Sequence, residues 1–179
     1  LPLMDGKKEE IIASAEDLLN SFEQIYKSKW LSMMGSKLGF AETGQEDQKL
    51  ITELLDWMHK NSADFTNTFL NICKEEIPNG ALYASESFQS WHVRWQNRLR
   101  KEEQGLETSF ALMRSVNPAV IPRNHKVEEA LQAGEEGNFK PFHDLLNAVE
   151  KPYVDGDHLL PYQAPPQPGE KVLQTFCGT

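Results

Sequence analysis

Apolar residues recur at steps of three and four along most of the chain, which is the spacing of one face of an α-helix. The first stripe of this kind comprises Ile12, Ala15, Leu19, Phe22, Tyr26, Trp30 and Met33. It predicts a helix from about residue 9 to residue 38 whose apolar side is buried. Gly39 follows this segment, and glycine is the residue that most often ends a helix.

Six further segments show the same period and predict six more helices. They cover roughly residues 51–58, 65–73, 86–100, 106–113, 127–135 and 142–149. No segment alternates apolar and polar residues over the length of a strand, so no sheet is predicted. We therefore expect an all-α fold, an irregular bundle of about seven helices over residues 1–150.

Residues 151–179 have a different composition and hold five of the ten prolines. Proline removes a backbone donor and clashes with the preceding turn, so this segment is not one regular helix. It is either a disordered tail or an extended strap across the helices. Its apolar residues favour the strap, because disordered tails are poor in aromatics. They are Tyr153, Leu159, Leu160, Tyr162 and Phe176.

Composition and charge narrow the class of protein. The 179 residues are 39% hydrophobic and 25% charged, as in a soluble globular domain. The net charge of −9 argues against sequence-independent nucleic-acid binding, and no apolar run approaches the ~20 residues of a membrane-spanning helix. Two cysteines do not make a secreted disulfide framework, which favours a reducing compartment. The chain begins at Leu1 and not at methionine, which predicts a piece of a longer protein.

Familiar catalytic signatures are missing from the sequence. There is no phosphate-binding glycine loop, no dinucleotide fingerprint, no nucleophile elbow and no zinc-ligand spacing. DGDH at residues 155–158 lacks the later residues of a calcium loop and predicts a turn. We therefore predict no catalytic, cofactor-binding or metal-binding residue in this chain.

The segment NPAVIPRNHKVEEAL, residues 117–131, is the least ordinary stretch of the chain. Each of its two prolines biases the preceding residue toward extended backbone, so the chain should cross stiffly between two helices. The apolar residues 119–121 can hold this path on the core, and Asn124 is suited to cap the next helix. The path presents Arg123, Asn124 and His125, which we predict to dock against another surface.

Short motifs are spread from one end of the chain to the other. They are LPLMD at residues 1–5, KLGF at 37–40, ADFTNTF at 63–69, WHVRWQNRL at 91–99, NPAVIPRNHKVEEAL at 117–131 with its PRNH, FKPFHDLL at 139–146, KPY at 151–153, YQAPP at 162–166 and TFCGT at 175–179. Together they resemble the C-terminal part of the selenoprotein O (SelO) family, and PRNH and TFCGT are the most specific of them.

The resemblance implies a pseudokinase-like protein adenylyltransferase, which moves AMP from ATP to Ser, Thr or Tyr of other proteins with Mg²⁺ or Mn²⁺. In that family the nucleotide and metal ligands lie in a kinase-like region N-terminal to the matching part. None of those motifs has a counterpart here, so we expect this chain alone neither to bind ATP tightly nor to transfer AMP. The implied partners are the kinase-like region of the same polypeptide and the protein substrates. The implied location is the cytoplasm of a bacterium or the mitochondrion of a eukaryote.

The two cysteines have different expected roles. Cys177 stands third from the end, where eukaryotic relatives of this family place selenocysteine. The resemblance implies a redox switch in which Cys177 joins a cysteine of the kinase-like region, and the alternative is an inert, solvent-facing thiol. Cys73 shares a helix face with Phe69 and Ile72, which predicts a buried thiol.

Two other functions stay open from the sequence. The first is a stand-alone helical domain that binds a protein partner through a tryptophan-rich surface. The second is a free-standing enzyme with an unfamiliar site among His92, Arg94 and His125, and it is the least favoured of the three.

Overall fold

The computed structural model describes residues 7–74, 77 and 80–172. These residues form eight α-helices and no β-strand, which confirms the all-α prediction. The helices are α1 (Lys8–Lys37), α2 (Gln45–Lys60), α3 (Phe65–Ile72), α4 (Glu86–Leu99), α5 (Gly105–Val116), α6 (Asn124–Glu135), α7 (Lys140–Val149) and α8 (Leu160–Gln163). The first seven coincide with the seven predicted helices, and α8 is a single turn inside the proline-rich tail. No helix in this part of the chain combines the length and apolarity that crossing a bilayer requires.

The main hydrophobic core lies between the end of α1 and helices α2 to α5. Trp57, Trp91 and Trp95 are all buried in it. The indole nitrogen of Trp91 donates to the carbonyl of Leu50 at 2.8 Å, and that of Trp95 donates to the carbonyl of Leu38 at 3.0 Å. All three tryptophans are therefore interior residues, and the indole nitrogens of Trp91 and Trp95 are satisfied inside the core. The expectation of a tryptophan-rich binding surface is wrong for them.

Helix α1 ends in a turn that requires glycine. The N–H of Phe40 donates to the carbonyl of Gly35 and the N–H of Gly39 to that of Ser36, both at 3.0 Å, which is the Schellman pattern. Gly39 has a φ of +85°, and a Cβ atom there would lie 2.9 Å from Cδ1 of Leu99. The predicted helix end at Gly39 is confirmed, and the turn carries Phe40 into the core.

Most of the apolar stripe of α1 is exposed, with only Ala15 and Trp30 half-buried, so the prediction that the stripe is buried is wrong for most of its length. Every residue from 16 to 29 is exposed, and Leu19 and Phe22 keep 74% and 65% of their accessible area. The body of the domain contacts α1 near its C-terminal end, through residues such as Met34 and Leu38. At 100° per residue these contacts lie roughly 140° around the helix axis from the centre of the exposed apolar residues. The body therefore buries a different face of α1.

The described part of the proline-rich tail, residues 151–172, packs against the helices. Leu159 is buried in a second, smaller cluster with Leu70, Ala119, Val120 and Ala148. This packing favours the strap over the disordered tail for these residues. Two residues expected to hold the strap, Tyr153 and Leu160, are exposed, and Phe176 lies outside the described residues. Leu159 is therefore its main apolar anchor.

A buried ion network fixes the segment between α1 and α2. Arg98 on α4 donates to Oδ1 of Asp47 at 2.7 Å and to Oε1 of Glu102 at 2.6 Å. The same two carboxylates accept the backbone N–H groups of Gly44 and Ala41, each at 2.9 Å. Since Asp47 is 2% exposed, this full set of partners offsets the cost of burying its charge. The network holds the α1–α2 connection against α4.

Candidate functional site

The centre of the candidate site is the joint, residues 117–123, which connects α5 to α6 without regular secondary structure. The backbone is extended at both ends, with φ/ψ of −109°/106° at the first residue and −75°/134° at the last. Ala119 and Val120 are buried, as predicted, and Ile121 is half-buried. The N–H of Ala119 donates to the carbonyl of Pro152 at 2.6 Å, which ties the joint to the strap.

Arg123, at the end of the joint, is turned into the protein. Its guanidinium makes a bidentate pair with Asp64, at 2.7 Å to Oδ2 and 3.0 Å to Oδ1. It also donates to Oδ1 of Asn67 at 3.1 Å. The Arg123 side chain is 7% exposed, and a bidentate pair is among the stronger hydrogen-bonded contacts. The guanidinium of Arg123, which we predicted to dock against another surface, is thus paired inside this chain.

The two partners of Arg123 also make contacts of their own. Oδ1 of Asp64 accepts the N–H of Asn67 at 2.8 Å and so caps the N-terminus of α3. The side-chain amide of Asn67 donates to the carbonyl of Gln163 at 3.0 Å. We call these four residues the Arg123 cluster. It joins the start of α3, the joint and the strap.

The carboxylate of Asp64 is held in its ionised form. Burial raises its pKa, but the hydrogen bonds from Arg123 and from the N–H of Asn67, together with the positive charge of Arg123, outweigh burial. The net result is a pKa below the ordinary aspartate value. A carboxylate in this state does not release or accept a proton near neutral pH, so the Arg123 cluster is suited to structure and not to acid–base chemistry.

The other end of the joint is anchored by Asn117. Its amide nitrogen donates to the carbonyl of Lys37 at 2.9 Å and to Sγ of Cys73 at 3.4 Å. In return, Nζ of Lys37 donates to Oδ1 of Asn117 at 3.1 Å and to the carbonyl of Val116 at 3.2 Å. Burial raises the pKa of Cys73 to about 11, so the thiol stays protonated and unreactive at neutral pH. The prediction that Cys73 is a buried thiol is confirmed.

Asn124 and His125 lie at the surface where α6 begins. The N-cap of α6 is Arg123, and Asn124 is already the first helical residue with an exposed side chain, so Asn124 does not cap the helix as predicted. His125 is half-buried. The start of α6 borders a surface cavity of about 460 Å³ whose other wall is the strap around Pro166 and Lys171. Of the three predicted docking residues, Asn124 and His125 face outward and Arg123 anchors them.

The least favoured hypothesis was a free-standing enzyme with a site among His92, Arg94 and His125. These three residues have different surroundings. Arg94 pairs with Glu53 at 2.5 Å, and the ring of His92 stacks on that of Trp95 at 5.2 Å between centroids. Burial lowers the pKa of His92, which favours the neutral form of its ring. His125 lies on another helix. Within the ranges that the structure covers, no three His, Cys, Asp or Glu side chains are placed to hold a metal ion.

The site brings together motifs that lie far apart in the sequence. ADFTNTF supplies Asp64 and Asn67, the joint supplies Arg123, and KPY and YQAPP supply backbone carbonyl groups. The sequence indicated that each motif was unusual, but no local signal showed that they touch. The motifs LPLMD and TFCGT, with Cys177, lie outside the described residues.

Comparison with known proteins identifies the family. A family model described as "Protein adenylyltransferase SelO" matches residues 9–150. Proteins named "Protein nucleotidyltransferase YdiU" are 48% identical in Alcanivorax borkumensis, 42% in Nitrosococcus oceani and 40% in Alkaliphilus metalliredigens. Each alignment covers 100% of this chain but only 37%, 36% and 37% of the relative, so the chain spans little more than a third of their length. The match covers most of the chain and confirms the resemblance seen in the motifs: this chain belongs to the SelO family.

Proposed function

We propose that this chain is the helical C-terminal region of a protein adenylyltransferase, which transfers AMP from ATP to Ser, Thr or Tyr side chains of proteins. In this proposal the chain is a scaffold for a kinase-like catalytic region that lies outside this sequence. That region binds ATP with Mg²⁺ or Mn²⁺. The observation that carries the proposal is the family match over residues 9–150, combined with relatives named as protein nucleotidyltransferases that are far longer than this chain.

The internal chemistry of the domain supports a scaffold role. AMP transfer from ATP needs a lysine clamp and Asp or Asn metal ligands that are free to meet the nucleotide. Here the most buried charged residues already pair with one another: Arg98 pairs with Asp47, and Arg123 pairs with Asp64. Side chains held in such ion pairs make the domain more rigid, and their charges are not available to bind a phosphate.

The proposal is tested by AMP transfer from labelled ATP in the presence of Mg²⁺. The longer polypeptide should label protein substrates, and the bond should be to a hydroxyl side chain in peptide mass spectra. The 179-residue chain alone should label nothing. Transfer by this chain without the kinase-like region would contradict the proposal, as would a longer polypeptide that is folded, binds ATP and transfers no AMP.

The start of α6 is proposed as one contact with the kinase-like region. Arg123 holds the backbone, while Asn124 and His125 face outward from a stiff joint, so little entropy is lost when they dock. In the longer polypeptide, replacing Asn124 and His125 together with alanine should lower the melting temperature or the rate of AMP transfer. Glu128→Ala, an exposed change one turn further along the helix, is the matched control. If both variants equal the wild type, this contact is excluded.

Cys177 is proposed as a redox-responsive thiol that pairs with a cysteine of the kinase-like region. The pairing removes two electrons and two protons, which an oxidised dithiol or disulfide reagent must accept. Cys177→Ser in the longer polypeptide should abolish the difference in AMP transfer between oxidised and reduced samples. An unchanged difference would show that Cys177 is not the switch.

The substrates are proposed to be proteins, as the names of the relatives indicate for those proteins. Because the relatives quoted above are bacterial, we propose the cytoplasm as the location. The competing function, a stand-alone interaction domain, gains support from the exposed stripe on α1. It requires that the chain act without a kinase-like region, and the AMP-transfer experiment above separates the two.

A further inference from the structure

Helix α1 carries a second apolar face that the domain does not cover. The helix has 30 residues and is about 45 Å long at 1.5 Å per residue. Its large exposed apolar residues are Ile12, Leu18, Leu19, Phe22, Ile25, Tyr26 and Met33, which we call the outer face. Apolar patches on ordinary monomers rarely exceed about 300–600 Å². The seven side chains of the outer face are 43% to 74% exposed along one helix, so together they form a patch of at least that size. The outer face therefore indicates an interface.

The breadth of the outer face indicates what kind of surface covers it. In a heptad frame that starts at Ile12, the apolar residues occupy positions a, d and g. A two-stranded coiled coil uses a and d alone, while three apolar positions per heptad are typical of a helix packed into a globular body. A single helix from a second copy of this chain would leave one edge of the outer face exposed to solvent. A domain-sized partner covers all of it.

The opposite side of α1 shows that the body of this domain is not what covers the outer face. Toward the body, the first two-thirds of α1 carries polar residues such as Glu16, Asn20 and Gln24, all exposed. Contact with the core begins only at Trp30 and Leu31. The helix thus projects from the domain with its apolar side turned away from it.

We propose that the outer face of α1 packs against the kinase-like region of the same polypeptide, so that α1 is a core helix shared by the two bodies. This inference rests on the proposed function. A partner of domain size is available, since this chain accounts for only 37% of the length of the relative from Alcanivorax borkumensis. The joint is then a secondary contact, and the outer face is the main one.

Site-specific photo-cross-linking in the longer polypeptide tests the inference. One variant carries the photo-reactive analogue p-benzoylphenylalanine in place of Phe22, and the matched control carries it in place of Asn20 on the opposite side of α1. We expect a cross-link from position 22 to a peptide outside these 179 residues at the mass of one polypeptide, and none from position 20. A cross-link at twice that mass, equal yields from both positions, or no cross-link from position 22 would each overturn the inference.

A pair of charge variants gives a second readout. Phe22→Asp places a charge on the outer face, and Asn20→Asp places the same charge on the polar side. Phe22→Asp should lower the melting temperature of the longer polypeptide, while Asn20→Asp should leave it unchanged, and equal melting temperatures would count against the packing. AMP transfer is measured on the unaltered protein. Its absence there would refute the proposed function alone, while a failed cross-link in active protein would refute this inference alone.

Discussion

Replacing Arg123 with alanine should destabilise the domain by about 3 kcal/mol, because it leaves Asp64 without its ion-pair partner. Removing one member of a buried pair typically costs ~3–5 kcal/mol. The Asp64 side chain is 24% exposed, so water can solvate part of its charge, and the lower end of that range applies. The Arg123 side chain itself is 7% exposed, so its loss also leaves a poorly filled space between the joint and α3.

Two substitutions of Asp64 distinguish the contribution of the ion pair to stability from that of the helix cap. Asp64→Asn removes the charge but keeps an oxygen for the N–H of Asn67, since asparagine is a good N-cap. Asp64→Ala removes both and should cost about 1 kcal/mol more than Asp64→Asn. The double variant Arg123→Ala with Asp64→Ala should be less destabilised than the sum of the single variants by roughly 2 kcal/mol, because neither charge is then left alone.

Urea unfolding followed by tryptophan fluorescence measures these differences, because Trp57, Trp91 and Trp95 are buried and report on the core. With a slope of about 2 kcal/mol per molar urea, a loss of 3 kcal/mol lowers the midpoint by about 1.5 M. If Arg123→Ala unfolds within about 0.5 kcal/mol of the wild type, a change typical of a surface position, the buried pairing described here is wrong.

The same series predicts a pH dependence. The folded pKa of Asp64 lies below the unfolded value, so its contribution to stability is complete above the ordinary aspartate pKa and is lost as pH falls through the folded pKa. Wild-type stability should therefore fall more steeply than that of Asp64→Asn below about pH 4. Parallel acid profiles of the two proteins would contradict this assignment.

Three further predictions follow from other parts of the domain. Gly35→Ala should lower stability by about 1–3 kcal/mol in urea unfolding, because the new Cβ would lie 1.8 Å from Oγ1 of Thr43, and an unchanged midpoint would contradict this contact. Thr68→Val should be neutral or stabilising, because the buried hydroxyl has no partner among the described residues, whereas a loss above about 1 kcal/mol would reveal one. Cys73 should resist iodoacetamide at pH 8 in folded protein and react after unfolding, as followed by peptide mass spectrometry, and equal rates would refute its burial.

Local features of the fold were predictable because they depend on nearby residues. The helical period places Phe69 and Ile72 on one side of a helix, and both are buried as predicted. Gly39 ends α1 because the backbone there needs a positive φ that few other residues adopt. These signals lie within one or two turns of the residues that they describe, so one sequence is enough to recognise them.

Features that depend on distant residues were not predictable in this way. Arg123 was identified, but its partner Asp64 lies 59 positions away, and no local pattern names it. Asn124 was expected to be the cap because its type is favoured there, yet the helix begins one residue earlier than that choice requires. On α1, the period showed that Leu19 and Phe22 share a face, but the period carries no information about what covers that face.

The central claim is that nucleotide is bound outside this chain, and calorimetric titration of the 179-residue chain with ATP and Mg²⁺ tests it most directly. Circular dichroism on the same sample establishes that the helices are formed. We expect no binding heat up to millimolar ATP, while the longer polypeptide binds ATP under the same conditions. Saturable binding of ATP to the folded 179-residue chain with micromolar affinity would contradict this claim.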